Sequence, residues 1–304
     1  MCKKRVLIIS SANMDLMMKV KGLPARGQTV IDNEYSFVPG GKGANSALAF
    51  AKLGADCYFC ARLGDDENGR ALRSFYKESD INTDYIYTDP DAPTGLAVVI
   101  VESDGSNRIV VYPGANRNLS RADAEKAFSC KPDAVFLQFE AADFDTAVQF
   151  TALAKEMNVP VYLDAAPADS SYDLSSLSEL TVFSPNETET EIFTGINPDS
   201  EDNCLLACQK LSRTVNFRYC VLKLGGRGAY VYDGIKGTLY PPYPTKVVDT
   251  TAAGDAFTAA LTIKHLETGD IGTACDFANK VGSLTVSKQG ASSSIPTLNE
   301  VDKS

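Results

Sequence analysis

The stretch Val247-Val-Asp-Thr-Thr-Ala-Ala-Gly-Asp-Ala-Phe-Thr-Ala-Ala-Leu261 predicts a short extended segment that runs directly into a helix. The junction at residues 252–254 is Ala-Ala-Gly, and apolar residues recur at helical spacing after it. Small side chains leave the first backbone N–H groups of the helix uncovered, and the helix dipole favours negative charge there. We therefore expect this turn to form an anion hole suited to a transferring phosphoryl group.

Asp255 lies in the first turn of the same predicted helix and has two interpretations. An acidic residue at this position often only satisfies the helix dipole. A carboxylate beside an anion hole is also where a general base can take a proton from an attacking hydroxyl. The chain has one histidine, His265, which argues against a histidine-based triad, so acid–base chemistry must come from carboxylates.

Short apolar runs alternate with amphipathic stretches from about residue 130 onward, which is typical of βαβ units in a parallel sheet covered by helices. The predicted strands of this sheet are residues 6–10, 57–62, 134–138, 159–163, 181–184 and 219–224. The predicted helices are residues 44–53, 68–78, 144–157, 188–193 and 204–214. The pattern predicts an α/β fold, and the length of 304 residues allows two structural units or one large one.

Two stretches, residues 14–38 and 94–112, do not fit this alternation, because they look extended and carry turn signals such as Leu23-Pro24 and Ser103-Asp-Gly-Ser106. They are too long for ordinary connections. We expect them to form a small accessory sheet that projects from a single domain over residues 1–304 and acts as a lid over a cleft. Its exposed strand edges would favour pairing with a second copy of the chain.

Composition restricts the class of protein. Hydrophobic residues make up 44% and charged residues 22% of the chain, which is typical of a globular fold. The formal net charge of −10 and the lack of a basic run argue against a nucleic-acid partner. The apolar runs are shorter than the ~20 residues of a membrane span, and the run at residues 6–9 is too short for a secretory signal. We expect a cytoplasmic protein that does not bind membranes.

The eight cysteines are spread along the chain and argue against a disulfide framework. The sequence Cys57-Tyr-Phe-Cys60 is typical of a buried strand, and Cys204 and Cys208 have the spacing of a helix face that packs into a core. They are not accompanied by a second pair with metal-ligand spacing. We therefore expect neither a zinc site nor a redox site.

Two glycine-rich loops would let a ligand approach the backbone closely. Pro39-Gly-Gly-Lys-Gly-Ala-Asn45 opens the helix predicted to begin at residue 44, and Leu224-Gly-Gly-Arg-Gly-Ala229 follows a predicted strand. Each loop also fits a simple tight turn, the first out of the accessory sheet and the second between two strands. The chain contains neither a Walker sequence, GxxxxGK followed by Ser or Thr, nor a GxGxxG after a strand.

In combination, Gly40-Gly-Lys-Gly-Ala-Asn45 and Asp249-Thr-Thr-Ala-Ala-Gly-Asp255 resemble the two signatures of the ribokinase-like (PfkB) carbohydrate kinases. Further landmarks of that family occur in the same order over nearly the whole chain, at residues 11–15, 94–95, 113–116, 138–140, 185–189 and 224–228. The resemblance implies a three-layer α/β sandwich with a mostly parallel central sheet and a small β-sheet lid. Within the family, the sequence is most similar to the ribose kinases.

The resemblance implies ATP-dependent transfer of the γ-phosphate to the primary hydroxyl of D-ribose, giving ribose 5-phosphate. It assigns Asp255 as the general base and the backbone of Ala252, Ala253, Gly254 and Asp255 as the anion hole. A kinase for another polyol, such as fructose, deoxyribose or a nucleoside, is the alternative within the family, because pocket shape decides the substrate. A non-catalytic sugar-binding protein on the same scaffold is a third interpretation, against which Asp255 and the complete glycine loop argue.

The substrate sites of the family transfer to this sequence by motif. The sugar site then consists of Asn13, Asp15, Gly41, Lys42, Asn45, Glu140 and Asp255. The nucleotide site consists of Asn186, Lys223, Gly225, Gly226, Gly228, Gly254 and Asn279. Carboxylates and carboxamides match a vicinal diol, although Asn13 and Asp15 also fit an Asx turn after the first strand. The relatives carry threonine at the position of Lys223, so the resemblance leaves open whether the nucleotide contacts made at that position are kept.

The resemblance also implies metal ions and a partner. Asn186 and Glu189 correspond to a motif that organises hydrated Mg²⁺ near the phosphates, and their spacing is equally that of a helix capping box. Oxygen atoms suit a hard monovalent cation such as K⁺, which the family pattern assigns mostly to backbone oxygens of Asp249, Thr251, Thr285, Lys288, Gly290 and Ser294. The same segments also fit an ordinary surface loop. By analogy with the family, we expect a homodimer through the lid.

Overall fold

The computed structural model describes residues 3–31, 34–103 and 106–304. Its strands are β1 Arg5–Ile9, β2 Asn13–Val20, β3 Glu34–Gly40, β4 Asp56–Gly64, β5 Ile86–Asp89, β6 Gly95–Glu102, β7 Asn107–Tyr112, β8 Ala134–Gln138, β9 Val161–Asp164, β10 Leu180–Ser184, β11 Phe217–Lys223, β12 Ala229–Tyr232 and β13 Gly237–Tyr240. Its α-helices are α1 Lys42–Lys52, α2 Glu67–Glu78, α3 Arg121–Ala127, α4 Phe144–Glu156, α5 Glu187–Thr194, α6 Glu201–Leu211, α7 Ala253–Thr268, α8 Ile271–Val286 and α9 Leu298–Lys303.

The larger sheet contains nine strands of the described chain in the order β13-β12-β11-β10-β9-β8-β1-β4-β5. Neighbouring strands pair in parallel, except that β12 is antiparallel to both β11 and β13. Residues 6–9 of the central strand β1 are completely buried, as expected for a parallel sheet that is covered on both faces. The mostly parallel central sheet predicted from the sequence is confirmed.

Helices cover both faces of this sheet. One hydrophobic cluster joins α1, α7 and α8 to one face and includes Phe50, Phe136 and Leu261. A second cluster joins α3, α4 and α6 to the other face and includes Phe150 and Phe183. The resulting helix–sheet–helix arrangement is the predicted three-layer α/β sandwich, and it presents the carboxyl ends of the parallel strands at one edge.

The smaller sheet contains four described strands in the order β3-β2-β6-β7. Strands β2 and β6 pair in parallel, and the two outer pairs are antiparallel. Every residue of the edge strand β7 is exposed. The accessory sheet predicted from residues 14–38 and 94–112 is therefore present. The turn signal at Asp104 and Gly105 lies outside the described residues.

The predicted strands and helices of the main sheet are present, with differences at their ends. The helix predicted at residues 204–214 begins earlier, at Glu201, because Ser200 Oγ accepts the N–H of Asn203 and caps the helix. The sequence pattern did not indicate α8, which is rich in small residues and packs closely against α7.

The cysteines occupy the positions that their spacing predicted. Cys57 and Cys60 are buried in β4, and Cys204 and Cys208 are buried in α6. All seven described cysteines are buried free thiols. Over the same part of the chain, none of the helices combines the length and the hydropathy of a membrane span.

Candidate active site

Polar side chains collect at the carboxyl ends of the central strands, next to the start of α7. Gln138, Asp164, Ser184 and Lys223 are the last residues of β8, β9, β10 and β11. Open α/β sheets bind ligands at this edge, because the strand ends and helix starts leave a crevice there. The predicted anion hole at residues 252–255 lies at the same edge, since Gln138 contacts Asp255 directly.

Two adjoining cavities open here. The polar cavity, about 570 Å³, is lined mainly by charged and amide side chains, including Lys42, Asn45, Asp164, Asn186, Glu189 and Asp255. The glycine-loop cavity, about 400 Å³, is lined by Gly225, Gly226, Gly228, Phe257 and Asn279 together with apolar neighbours. The residues that line both cavities, and so form the boundary between them, are Lys223, Gly225, Thr250 and Gly254.

The start of α7 has the open N–H groups that the sequence predicted, with one exception. Ala252 adopts the left-handed conformation (φ 60°) and precedes the helix. The N–H of Ala253 is 3.3 Å from the carbonyl oxygen of Thr250 and is therefore partly occupied. Among the described residues, none accepts a hydrogen bond from the N–H groups of Ala252, Gly254 or Asp255. Three donors at a helix start remain available to an anion.

Asp255 is buried at the wall of the polar cavity, with 6% of its surface exposed. Gln138 Nε2 donates a hydrogen bond to its Oδ1 at 3.1 Å. Burial raises the pKa of this carboxyl group, and the nearby Lys42 ammonium opposes the rise. The acid thus lies in the groove beside the open N–H groups, where a carboxylate of raised basicity can accept a proton.

Asn13 and Asp15 lie in strand β2, so the Asx-turn interpretation of these two residues is wrong. Asn13 is buried, and its amide oxygen accepts a hydrogen bond from Asn116 Nδ2 at 2.8 Å. Its amide nitrogen lies 3.5 Å from Glu140 Oε1, while the other oxygen of Glu140 accepts the N–H of Lys42 at 3.2 Å. The strand, the first glycine-rich loop and the end of β8 therefore meet around one pocket.

Two residues of the predicted sugar site carry an acceptor without a protein partner in the described part of the chain. Asp15 Oδ1 and Asn45 Oδ1 are buried, and no described group forms a hydrogen bond with either atom. Burial, reinforced by the Glu140 carboxylate, raises the pKa of Asp15 to about 7. Because an unpaired buried acceptor costs free energy, two of them among the predicted sugar-site residues indicate that a ligand with hydrogen-bond donors completes the site.

Gly41 and Lys42 connect the pocket to the acid. Gly41 has φ +88°, a conformation that favours glycine, and it precedes α1. The ammonium of Lys42 lies among four carboxyl groups, and Asp255 is the largest cause of its raised pKa. Lys42 therefore stays protonated and supplies positive charge at the wall of the polar cavity, close to Asp255.

The second glycine-rich loop is a turn between β11 and β12, as its simpler interpretation stated, and it also lines a cavity. Gly225, Gly226 and Gly228 leave the cavity floor without side chains. Asn279, from α8, lies at the same cavity and donates hydrogen bonds to the carbonyl oxygens of Tyr240 and Pro241 at 3.0 and 3.1 Å. Within the described residues, its amide oxygen accepts no hydrogen bond, so it can accept one from a ligand.

Asn186 and Glu189 form the capping box of α5. The N–H of Glu189 donates to Asn186 Oδ1, and the N–H of Asn186 donates to Glu189 Oε2, both at 2.8 Å. Both residues also line the polar cavity. Burial raises the pKa of Glu189, and the Lys223 ammonium opposes the rise. The capping box leaves Glu189 Oε1 outside these bonds, so capping and ion binding are compatible.

The six residues assigned to a monovalent cation lie on two segments that contact each other. Asp249 Oδ2 accepts the N–H of Gly290 at 2.9 Å, and its Oδ1 accepts the N–H of Thr251, also at 2.9 Å. The hydroxyls of Thr285 and Ser294 donate to backbone oxygens, of Val281 and Ala291. The ammonium of Lys288 pairs with Glu300 at the surface, so only backbone atoms of Lys288 can face the loop.

Gln138 and Asp164 contact predicted site residues directly, although the sequence predicted neither of them as a site residue. Gln138 holds Asp255, and Asp164 Oδ1 accepts a hydrogen bond from Lys223 Nζ at 2.7 Å. Asp164 Oδ2 accepts a second hydrogen bond, from Thr258 Oγ1 at 3.0 Å. A polar residue at the end of a buried parallel strand is the signal that could have identified both.

Known proteins are similar to this chain in fold and in sequence over nearly its full length. Ribokinase from Bacillus subtilis is 33% identical over 302 residues, which cover 99% of both chains. The bifunctional ribokinase/ribose-5-phosphate isomerase A of Fructilactobacillus sanfranciscensis is 34% identical over 97% of this chain, and the match spans 55% of that longer protein. The structure of Arabidopsis thaliana ribokinase complexed with ribose and ATP superposes with a TM-score of 0.89, at 30% identity and 99% coverage of this chain and 98% of that chain.

The family match is equally extensive. Residues 3–298 match the pfkB family carbohydrate kinase pattern. With the two signatures, the three-layer fold and relatives above 30% identity, the resemblance stated from the sequence is confirmed. This chain belongs to the pfkB family of carbohydrate kinases and is a phosphotransferase that acts on a sugar.

Proposed function

We propose that the protein phosphorylates D-ribose at its primary hydroxyl with ATP, giving ribose 5-phosphate. One observation carries the proposal: a pocket with unpaired buried acceptors, Asp15 Oδ1 and Asn45 Oδ1, is connected to a buried acid beside three open N–H groups. A polyol supplies the hydroxyl donors that such acceptors need. The ribokinases among the relatives, one of them complexed with ribose and ATP, support ribose as the polyol.

The sugar would be held by Asn13, Asp15, Gly41, Lys42, Asn45 and Glu140, with its primary hydroxyl directed to Asp255. The hydroxyl oxygen then forms a bond to the γ-phosphorus, and the bond from that phosphorus to the bridging oxygen of ADP breaks. Asp255 receives the hydroxyl proton. The N–H groups of Ala252, Gly254 and Asp255, with Ala253 beside them, hold the phosphoryl oxygens. Holding both substrates in place contributes about 7–11 kcal/mol, at least as much as the base.

The nucleotide would occupy the glycine-loop cavity. Gly225, Gly226 and Gly228 let the backbone approach it, and Asn279 lies where the adenine would bind. Asn186 and Glu189 fit a hydrated Mg²⁺ near the phosphates, because a carboxylate oxygen outside the capping box is a ligand that hard cations prefer. The ion would neutralise phosphate charge. The paired loops of Asp249 and Gly290 likewise fit K⁺ beside the anion hole.

The small sheet would close over the sugar as a lid and carry the contact between two copies of the chain. Asn13 and Asp15 connect it to the pocket, since both lie on β2. Apolar side chains on its strands are exposed, among them Tyr35 at 70% and Val110 at 72%. A sheet with exposed apolar residues and an open edge strand is a surface that association would cover.

An ADP-release assay over D-ribose, 2-deoxyribose, fructose and nucleosides, run in K⁺ and in choline buffer, tests the proposal. We expect the highest kcat/KM with ribose and faster turnover in K⁺ than in choline. If a nucleoside saturates the enzyme at micromolar concentration while ribose has a low kcat/KM, the substrate is a nucleoside and not ribose. Equal rates in the two buffers would contradict activation by a monovalent cation.

The affinity for ribose is expected to fall as the pH drops through about 7. Burial and Glu140 raise the pKa of Asp15 to about 7, and protonation removes the negative charge and turns one of the two acceptor oxygens into an O–H donor. Binding therefore weakens on protonation, by up to about tenfold per pH unit below that pKa. Calorimetric titration with ribose in the absence of nucleotide, from about pH 8.5 down to 5.5, measures how the Kd for ribose depends on pH. The Asp15→Asn variant should lose the step near pH 7; a wild-type profile without that step would contradict the assignment.

A further inference from the structure

Lys223 places a largely buried ammonium at the boundary between the two cavities. Its side chain is 11% exposed, and Nζ lies 2.7 Å from Asp164 Oδ1, whose side chain is 2% exposed. A Cβ added to Gly254, at the start of α7, would lie 3.8 Å from the same Nζ. The cation therefore lies directly beside the open N–H groups at residues 252–255.

Stability alone gives little reason for a lysine at this position. Burying an ion pair costs the hydration of both charges, and well-packed apolar side chains are often as stabilising. An ammonium has three N–H donors, and within the described ranges Asp164 is the acceptor that the structure gives Lys223 Nζ. Asp164 has a second partner in Thr258, at 3.0 Å, which helps to fix its position. The arrangement orients the ammonium and leaves donors for a ligand.

We propose that Lys223 binds the β- and γ-phosphates of the nucleotide where they cross from the glycine-loop cavity into the polar cavity. The inference rests on the proposed function, which places the nucleotide in the first cavity and the accepting hydroxyl at Asp255 in the second. The phosphates must then pass the boundary of Lys223, Gly225, Thr250 and Gly254. Lys223 is the charged member of that boundary.

The lysine and the helix start contribute differently to the phosphates. The N–H groups of Ala252, Gly254 and Asp255 are fixed donors with defined directions. An ammonium on a flexible stem is a point charge that can follow the phosphoryl group over a short distance. Asp164 holds the ammonium at the boundary between the cavities before the nucleotide binds. In the complex, the ammonium contacts both Asp164 and the phosphates. Lys223 is thus a binding residue for the transferring end of the nucleotide, and Asp164 is its positioning residue.

Calorimetric binding of ADP and of adenosine to the full chain in EDTA tests the inference without Mg²⁺. We expect Lys223→Thr to weaken ADP binding by about tenfold or more and to leave adenosine within about twofold. Lys223→Arg, which keeps the charge, should retain most of the ADP affinity. The matched control is Lys236→Thr, an exposed lysine in the β12–β13 turn at the opposite edge of the sheet, which should bind both ligands normally.

The competing explanation is that Lys223 only neutralises Asp164. Removing the lysine then weakens ADP binding by leaving a bare carboxylate near the phosphates. The comparison of Asp164→Asn with the double variant, Asp164→Asn with Lys223→Thr, separates the two, because neither contains that carboxylate. We expect the double variant to bind ADP about tenfold or more weakly than Asp164→Asn. Should the single threonine variant unfold, this pair still decides, since the double variant removes both buried charges.

Equal ADP affinity in Asp164→Asn and in the double variant would overturn the inference. An equal loss of adenosine and ADP affinity in Lys223→Thr would also overturn it, because the lysine would then shape the cavity and not bind phosphate. A wild-type protein that binds neither ADP nor adenosine would instead defeat the proposed function. A wild type that prefers ADP to adenosine, with the same preference in Lys223→Thr, would leave the function standing and remove only the role of Lys223.

Discussion

Asp255→Asn is expected to lower kcat by about 10²–10⁴-fold while the Kd for ribose stays within a few-fold of the wild-type value. Asparagine has the same size and can still accept the hydrogen bond that Gln138 donates, so the pocket is preserved. The variant lacks a basic oxygen to receive the hydroxyl proton beside the anion hole. ADP release at saturating ribose and ATP measures kcat, and calorimetry measures the Kd.

The control for this prediction is Asp145→Asn. Asp145 lies in the first turn of α4, is exposed and lines neither of the two cavities, so it has the same relation to a helix dipole outside the site. We expect it to turn over like the wild type. If Asp255→Asn keeps most of the wild-type kcat, Asp255 serves the helix dipole only, and the acid–base part of the proposal is wrong.

Gly40→Ala is expected to weaken ribose binding by about 10–150-fold with little change in Tm. A Cβ at Gly40 would overlap the carboxylate of Asp15 on the adjacent strand, and this flexible side chain must then turn out of the pocket. Gly40 ends strand β3 without a positive φ, so alanine adds no backbone strain. The loss of one hydrogen bond to a charged group, about 1.5–3 kcal/mol, corresponds to that fold-change.

Gly22→Ala is the matched control for Gly40→Ala. Gly22 follows strand β2 in the chain, has no atom within 4 Å of an added Cβ, and is not among the glycines with positive φ. It should bind ribose normally, as measured by calorimetry. A folded Gly40→Ala protein with unchanged ribose affinity would show that the Asp15 carboxylate does not contact the sugar.

Local patterns predicted the elements of the main sheet well, because each depends on residues close together in the chain. The strand at residues 134–138 was placed without error, whereas the helix predicted at 204–214 was displaced by the cap at Ser200. Asn186 and Glu189 left two interpretations open, since spacing alone cannot say whether both carboxylate oxygens are used. The structure answers that question: Oε2 caps the helix, and Oε1 takes no part in the cap.

The partners of the site residues could not be predicted in this way. Gln138 and Asp255 are 117 residues apart, and their contact depends on the position of α7 against the end of β8. Lys223 and Asp164 are 59 residues apart and meet although β10 lies between their strands. From the sequence, Lys223 was therefore an unexplained departure from threonine. That Asp164 carries the opposite charge beside it follows only from the order of the strands in the sheet.

The chain's sequence by itself determined a parallel sheet with covering helices, and a helix start with small residues and an acid. Hydrophobic periodicity and bare N–H groups are local properties, so they can be read without any distant contact. Only the tertiary structure decided which side chains share a pocket, which acceptors stay unpaired and where the lysine of β11 lies. These depend on the order of strands and the packing of helices, which bring residues together that the chain keeps far apart.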